Sequence, residues 1–159
     1  MGYNRKRYIT IDGGTTNTRI RLIENGTAVD EIKIKAGAGN RNSRLLAEAI
    51  KSGIDGIMKK SKLTEADITA ILAAGMITSE FGIYCVPHIC VPAGVTELNN
   101  GIKSVVIKDI TDMPINFIPG VKKQGETLEQ NDMMRGEECE FFGISKLLNA
   151  ENGSLVVLP

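Results

Sequence analysis

Ile9 and Ile11 alternate with Thr10 and Asp12 before Gly13-Gly14, the period-two pattern of a half-buried strand. Arg19, Arg21 and Ile23 then alternate with Ile20, Leu22 and Glu24, which predicts a second strand. Asn25-Gly26 follows at once, and both central residues of a type I′ hairpin turn need positive φ, so the second strand turns back into a third at Ile32 and Ile34 and the start reads as a three-stranded antiparallel meander. Gly37 and Gly39 interrupt the pattern. Leu46, Ile50, Ile54 and Ile57 recur at helical spacing, with Ser43 as the expected N-cap and Lys59-Lys60 near the negative end of the dipole. Thr64 and Asp67 predict a short capped turn before Ile68–Ala74, an apolar run that reads as a buried parallel strand ended by Gly75. Val105–Ile107 and Ile115–Ile118 predict two strands around a turn at Asp112–Pro114. The polar stretch Lys122–Asn131 reads as a loop, Met134, Phe141, Ile144 and Leu148 as a helix, and Leu155–Leu158 as a last strand.

A meander followed by helix–strand crossovers makes this an α/β chain with a mixed sheet. That order resembles the ribonuclease-H-like domain of the actin-like ATPases. At 159 residues the chain suits one compact domain. Lys plus Arg equal Asp plus Glu at 19 each, so no basic excess points to nucleic acid. The basic start runs into a strand, no apolar run is long enough to span a bilayer, and three cysteines without secretory context suit a reducing cytoplasm.

The chemistry concentrates in Asp12-Gly13-Gly14-Thr15-Thr16-Asn17. A carboxylate ends the first strand, glycines let backbone approach a ligand, and hydroxyl and amide side chains follow. Successive backbone N–H groups in such a turn can form a nest for phosphate oxygens, with Asp12 as a hard oxygen ligand for Mg²⁺. A plain β-hairpin whose glycines serve only the turn is the competing reading. No P-loop signature occurs, and Gly37-Ala38-Gly39-Asn40-Arg41-Asn42 lacks the third glycine and the following acidic residue of a dinucleotide fingerprint, leaving a structural loop.

The motifs Asp12–Arg19, Ala74-Gly75-Met76-Ile77-Thr78-Ser79, Val91-Pro92-Ala93-Gly94, Ile118-Pro119-Gly120 and Met134-Arg135-Gly136-Glu137-Glu138 occur in that order. Together they resemble the 2-dehydro-3-deoxygalactonokinase family over nearly the whole chain, with Gly13 standing where the family commonly carries Trp and Thr78 where a Gly is usual. The resemblance implies an ATP- and Mg²⁺-dependent kinase of galactonate catabolism that phosphorylates the 6-hydroxyl of 2-dehydro-3-deoxy-D-galactonate. It also implies that residues 1–159 form an amino-terminal actin-like domain without the second domain, inactive alone and prone to self-association through an uncovered face. An exopolyphosphatase-like hydrolase, whose Gly-Glu-Glu element resembles Gly136–Glu138, and a non-catalytic actin-like binding module are the alternatives.

Phosphoryl transfer needs a carboxylate to orient and deprotonate the attacking hydroxyl. Glu137 shares a helical face with Phe141, Ile144 and Leu148, so it is expected to point inward at the helix start as the base, with Asp132 as runner-up and helix capping as the competing role. Arg135 offers a planar fork for the substrate carboxylate or for phosphate oxygens. Arg19 suits a solvated or sheet-edge place equally well. Thr78 and Ser79, at the carboxyl end of a parallel strand, are candidate substrate contacts, with capping as the alternative. Cys85, His88 and Cys90 have no fourth donor at ligand spacing, and on a strand Cys85 faces away from the other two, so packing is the better reading than zinc.

Overall fold

The opening alternation produces an antiparallel meander, β1 (Arg7–Gly13), β2 (Thr18–Glu24) and β3 (Thr27–Ile34), in the computed structural model, which describes residues 6–125, 127 and 130–148. Asn25 (φ 50°) and Gly26 (φ 85°) close the β2–β3 hairpin in the left-handed conformations that a type I′ turn requires. Helix α1 (Ser43–Ser61) then lays Leu46, Ile50, Ile54 and Ile57 into the core. Its approach to the sheet is set by Gly53, where a Cβ would fall 2.5 Å from Ile20 Cδ1. Thr64 and Asp67 form the expected capping box.

Strand β4 (Ala70–Gly75) pairs parallel with β1, and β7 (Pro114–Phe117) pairs parallel with β4. β6 (Lys103–Val106) closes the edge antiparallel to β7, giving the order β3-β2-β1-β4-β7-β6. Because β1, β4 and β7 run the same way, Gly13 and Gly75 finish side by side in register. Ligands of open α/β sheets bind at this carboxyl edge. A second, smaller sheet of β5 (Ile89–Cys90), β8 (Val121–Lys123) and β9 (Asp132–Met134) lies beyond it, with α2 (Val95–Gly101) and α3 (Glu137–Leu147). No helix among the described residues is long and apolar enough to cross a membrane.

Four expectations are corrected. Asn42, not Ser43, caps α1, its side chain accepting from the Leu45 N–H at 3.1 Å, because the one-residue shift puts an amide oxygen over the third helical N–H. Met134 belongs to β9, since Gly136 at φ 121° breaks the run and α3 begins only at Glu137. Lys122 and Lys123 pair in β8, so the loop starts later than polarity suggests. The inward phase of Glu137 is overturned, for Glu137 is exposed, Glu138 is 2 % exposed, and Phe141 and Leu148 face outward. The strand expected at Leu155–Leu158 lies outside the described residues.

Candidate active site

The turn between β1 and β2 is held from inside and from behind. Gly14 N–H donates to the Asn17 carbonyl at 2.8 Å. The Gly37–Gly39 segment straps it from the other side, with Ala38 N–H donating to Gly14 O at 3.0 Å and Gly39 N–H to Thr15 O at 2.8 Å. A Cβ on Gly37 would stand 2.5 Å from the Thr15 carbonyl oxygen, so this close approach requires glycine. The buried Thr18 hydroxyl donates to Ala36 O at 2.7 Å and fastens the same junction. In front of the turn a cleft of about 240 Å³ is lined by Asp12, Gly14, Thr15, Thr16, Asn17, Arg19 and Lys33. The structure thus brings together all but Gly13 of the expected phosphate-turn residues, and Gly13 is buried directly behind them.

Charges alternate across the meander on this face. Arg19 Nη1 lies 3.7 Å from Asp12 Oδ2 and Arg19 Nε 3.8 Å from Glu31 Oε2, while Arg21 Nε donates to the same Glu31 oxygen at 2.7 Å. Arg19 is therefore turned toward the cleft rim and the acid there. The Asp12 side chain is half exposed, its carboxylate engaged only at ion-pair range. An oxygen-only set of this carboxylate and neighbouring hydroxyls suits Mg²⁺, which is held by one or two carboxylates while keeping waters and substrate phosphates.

Three glycines bring a second carboxylate to the same edge. A Cβ on Gly13 would meet Ile77 Cβ at 2.5 Å, one on Gly75 would meet Gly13 O at 2.6 Å, and one on Gly136 would meet Gly75 Cα at 3.2 Å. Backbone thus stacks on backbone from β1 through β4 to the start of α3. Glu138 turns in at that stack, and both its oxygens accept from the Gly136 N–H at 2.8 Å. Burial raises its pKa above the ordinary carboxylate value, and the nearby Glu137 charge adds to the effect. Burial also pushes the Cys139 thiol up to about 12, with the charges of Glu138, Asp12 and Glu140 contributing, so Asp12 and the head of α3 share one electrostatic neighbourhood. Glu137 accepts from the Arg135 backbone N–H at 2.9 Å, a capping contact. Asp132 sits exposed on β9.

Arg135 is committed to protein acceptors. Nη1 donates to Thr78 O at 2.7 Å and Thr78 Oγ1 at 2.6 Å, and Nη2 to Val86 O at 3.0 Å. Nη2 also lies 3.0 Å from His88 Nδ1 and 3.1 Å from Nε2. Thr78 is fully buried and its hydroxyl donates to Gly75 O, while Ser79 Oγ donates to Met76 O, so both hydroxyls serve the turn after β4. Cys85 and Cys90 are exposed free thiols. An apolar cleft of about 440 Å³ adjoins Glu137 and Glu138, walled by Val91, Val121, Met134, Phe141 and Phe142.

Sequence reasoning missed the strap at Gly37–Gly39 as the brace of the turn, the place of Lys33 in the cleft, and Glu138 as the inward acid. The helical phase was readable, but the pivot at Gly136 that rotates it was not.

Residues 12–159 match the family model for 2-keto-3-deoxy-galactonokinase. The chain is 28% identical over 153 residues to the 2-dehydro-3-deoxygalactonokinase of Escherichia coli (strain K12), covering 96% of this chain and 46% of that protein. The fold matches the crystal structure of a Sinorhizobium meliloti protein provisionally described as a 2-dehydro-3-deoxygalactonokinase, with TM-score 0.67 and 22% identity over 89% of this chain and 43% of that one. The chain thus spans about half the length of the relatives it matches.

Proposed function

The chain belongs to the 2-keto-3-deoxy-galactonokinase family, and we propose that it forms the phosphate-binding lobe of an ATP-dependent kinase that phosphorylates the 6-hydroxyl of 2-dehydro-3-deoxy-D-galactonate. The observation that carries this reading is the meeting of the Asp12–Asn17 turn and the Gly136–Glu138 helix start at one sheet edge. In this reading the lobe has the ribonuclease-H-like, actin-like architecture, as its strand order β3-β2-β1-β4-β7 suggests. Thr15, Thr16 and Asn17 cradle phosphate oxygens at the open side of the turn, Gly13 and Gly14 let the backbone bend behind them, and Arg19 and Lys33 offset the phosphate charge. Asp12 would hold Mg²⁺, which when bound neutralises charge on the transferring phosphoryl group.

A carboxylate beside the turn then orients the attacking hydroxyl and takes its proton. Glu137 and Asp132, both exposed, remain candidates, and Glu138 joins them because burial raises its proton affinity toward the range where a base works. Ser79 and Thr78 would shape the substrate side through the turn they brace. In this reading the adenine pocket and the surface that closes over the phosphates would come from a second domain, as the chain spans about half the length of the relatives it matches. An uncovered apolar surface around Met134, Phe141 and Leu147 would favour self-association, and free thiols suit a reducing cytoplasm.

The test is ADP release coupled to a dehydrogenase signal, with ATP, Mg²⁺ and 2-dehydro-3-deoxygalactonate, on the 159-residue chain and on a protein of the relatives' full length that carries it. Turnover by the long form alone is the expected result. Phosphate release from polyphosphate without the sugar acid would turn the reading to a hydrolase, and nucleotide binding without turnover in either form would leave a binding module.

A further inference from the structure

Arg135 joins two segments that are far apart in sequence and both border the candidate active site. Its two terminal guanidinium nitrogens reach the Thr78 and Val86 carbonyls, the Thr78 hydroxyl and the His88 ring, 47 to 57 residues away. Thr78 in turn donates to Gly75 O, and Gly75 backs onto both Gly13 and Gly136. On the other side of Arg135 its own N–H holds Glu137, and the next residue's N–H holds Glu138. A planar fork with fixed donor directions suits this task, and a lysine point charge does not.

Nη2 stands within 3.1 Å of both ring nitrogens of His88 at once. An in-plane hydrogen bond reaches only one nitrogen, so the guanidinium edge lies over the ring face, an arrangement that a neutral imidazole accepts and an imidazolium opposes. The charged and titratable groups around this ring are Arg135 from the β9–α3 junction and Lys122 from β8, with Cys85 and Glu80 lining the same cleft. Burial first, then Arg135 and Lys122, hold the His88 pKa below its ordinary value.

We propose that Arg135 is a positioning residue, a bolt that clamps the head of α3 onto the turn after β4, with neutral His88 as its seat. The proposal rests on the phosphoryl-transfer reading for its purpose, but its geometry and test do not. Arg135 therefore does not hold the substrate carboxylate. Loosening it releases Gly136 and the two carboxylates beside it while leaving the β1–β2 ladder in place.

His88 is the single histidine of the chain, so its imidazole ¹H–¹³C signal reports this seat without assignment ambiguity. The experiment follows that signal from pH 4 to 9 in the full chain, with amide-exchange protection of Gly136 and Val86 measured alongside. Arg135→Gln is expected to move the His88 titration upward and to cut protection at Gly136 and Val86 tenfold or more, with β1–β2 amides unchanged. Arg135→Lys is expected to give the same loss of protection but a smaller move of the His88 titration, because it keeps the positive charge and loses the planar fork. In the unsubstituted chain, acidification through the His88 transition is expected to lower the same two protection factors, which tests the bolt without any substitution. A His88 titration unmoved by both variants, or Gly136 protection independent of His88 protonation, would overturn the proposal. A null result for kinase turnover would bear on the functional reading alone.

Discussion

Gly75→Ala should be the most damaging single-methyl change in the described residues near the site. Gly75 adopts φ 84° and ψ −158°, a region used almost solely by glycine, where another residue costs about 1–3 kcal/mol. The added Cβ would also stand 2.6 Å from the Gly13 carbonyl oxygen, a backbone atom that can move only by separating the paired ends of β1 and β4. Overpacking of that kind adds about 1–3 kcal/mol, so the two effects together come to roughly 2–6 kcal/mol. That is a large share of the roughly 5–15 kcal/mol that holds a domain folded. Gly26→Ala is the internal control, because Gly26 has φ 85° but nothing within 4 Å of the added Cβ, leaving about 1–2 kcal/mol from backbone conformation alone. Urea denaturation followed by circular dichroism measures both. With a slope of about 1.5 kcal/mol per molar urea, a 3 kcal/mol loss lowers the midpoint by about 2 M. Equal midpoints for the two variants would refute the close-approach argument.

Three further outcomes are expected. In a full-length protein carrying this chain, Asp12→Asn should lower kcat at least about a hundredfold, and unchanged turnover would remove Asp12 from the site. Base catalysis supplies about 10² to 10⁴ in rate, so whichever of Glu138→Gln, Glu137→Gln and Asp132→Asn loses that much identifies the base; Glu138→Gln should do so without lowering stability at pH 7, since it removes a buried charge, and a loss of kcat in none of the three would discard the assignment. Below the ordinary His value of 6.5 the unfolded chain takes up a proton that folded His88 refuses, so stability should fall as pH drops through that window, whereas folded Glu138 keeps its proton above the ordinary 4.5, so its contribution should fall as pH rises from there. Denaturation midpoints against pH for wild type, His88→Gln and Glu138→Gln check both signs, and superimposable curves would contradict them.

Local rules carried the first half of the chain. Asn25-Gly26 declares its turn by a backbone requirement, and the α1 spacing declares its buried face, so β1 to β4 were readable with their register direction. The Asp12–Asn17 turn was readable because its chemistry is contiguous. What escaped reading is non-local. The strands β5, β8 and β9 are two or three residues long, too short to show a period. The bracing of Thr15 by Gly39 and the seating of Arg135 on Thr78 and His88 join segments that only the fold brings together. Adjacent glutamates at a helix start differ by one residue, and the φ of 121° at Gly136 decides which of them is buried.

The measurement that tests the account most directly is a titration of the ¹⁵N-labelled chain with Mg²⁺-ATP, following the amides of Gly13 to Asn17. If this turn is where nucleotide phosphates sit, those amides should shift in a saturable way with ATP, much less with AMP, and Asp12→Asn should weaken the effect while leaving the β1–β2 fold intact. Amides in the turn that stay still at millimolar Mg²⁺-ATP, or that respond equally to AMP, would contradict it.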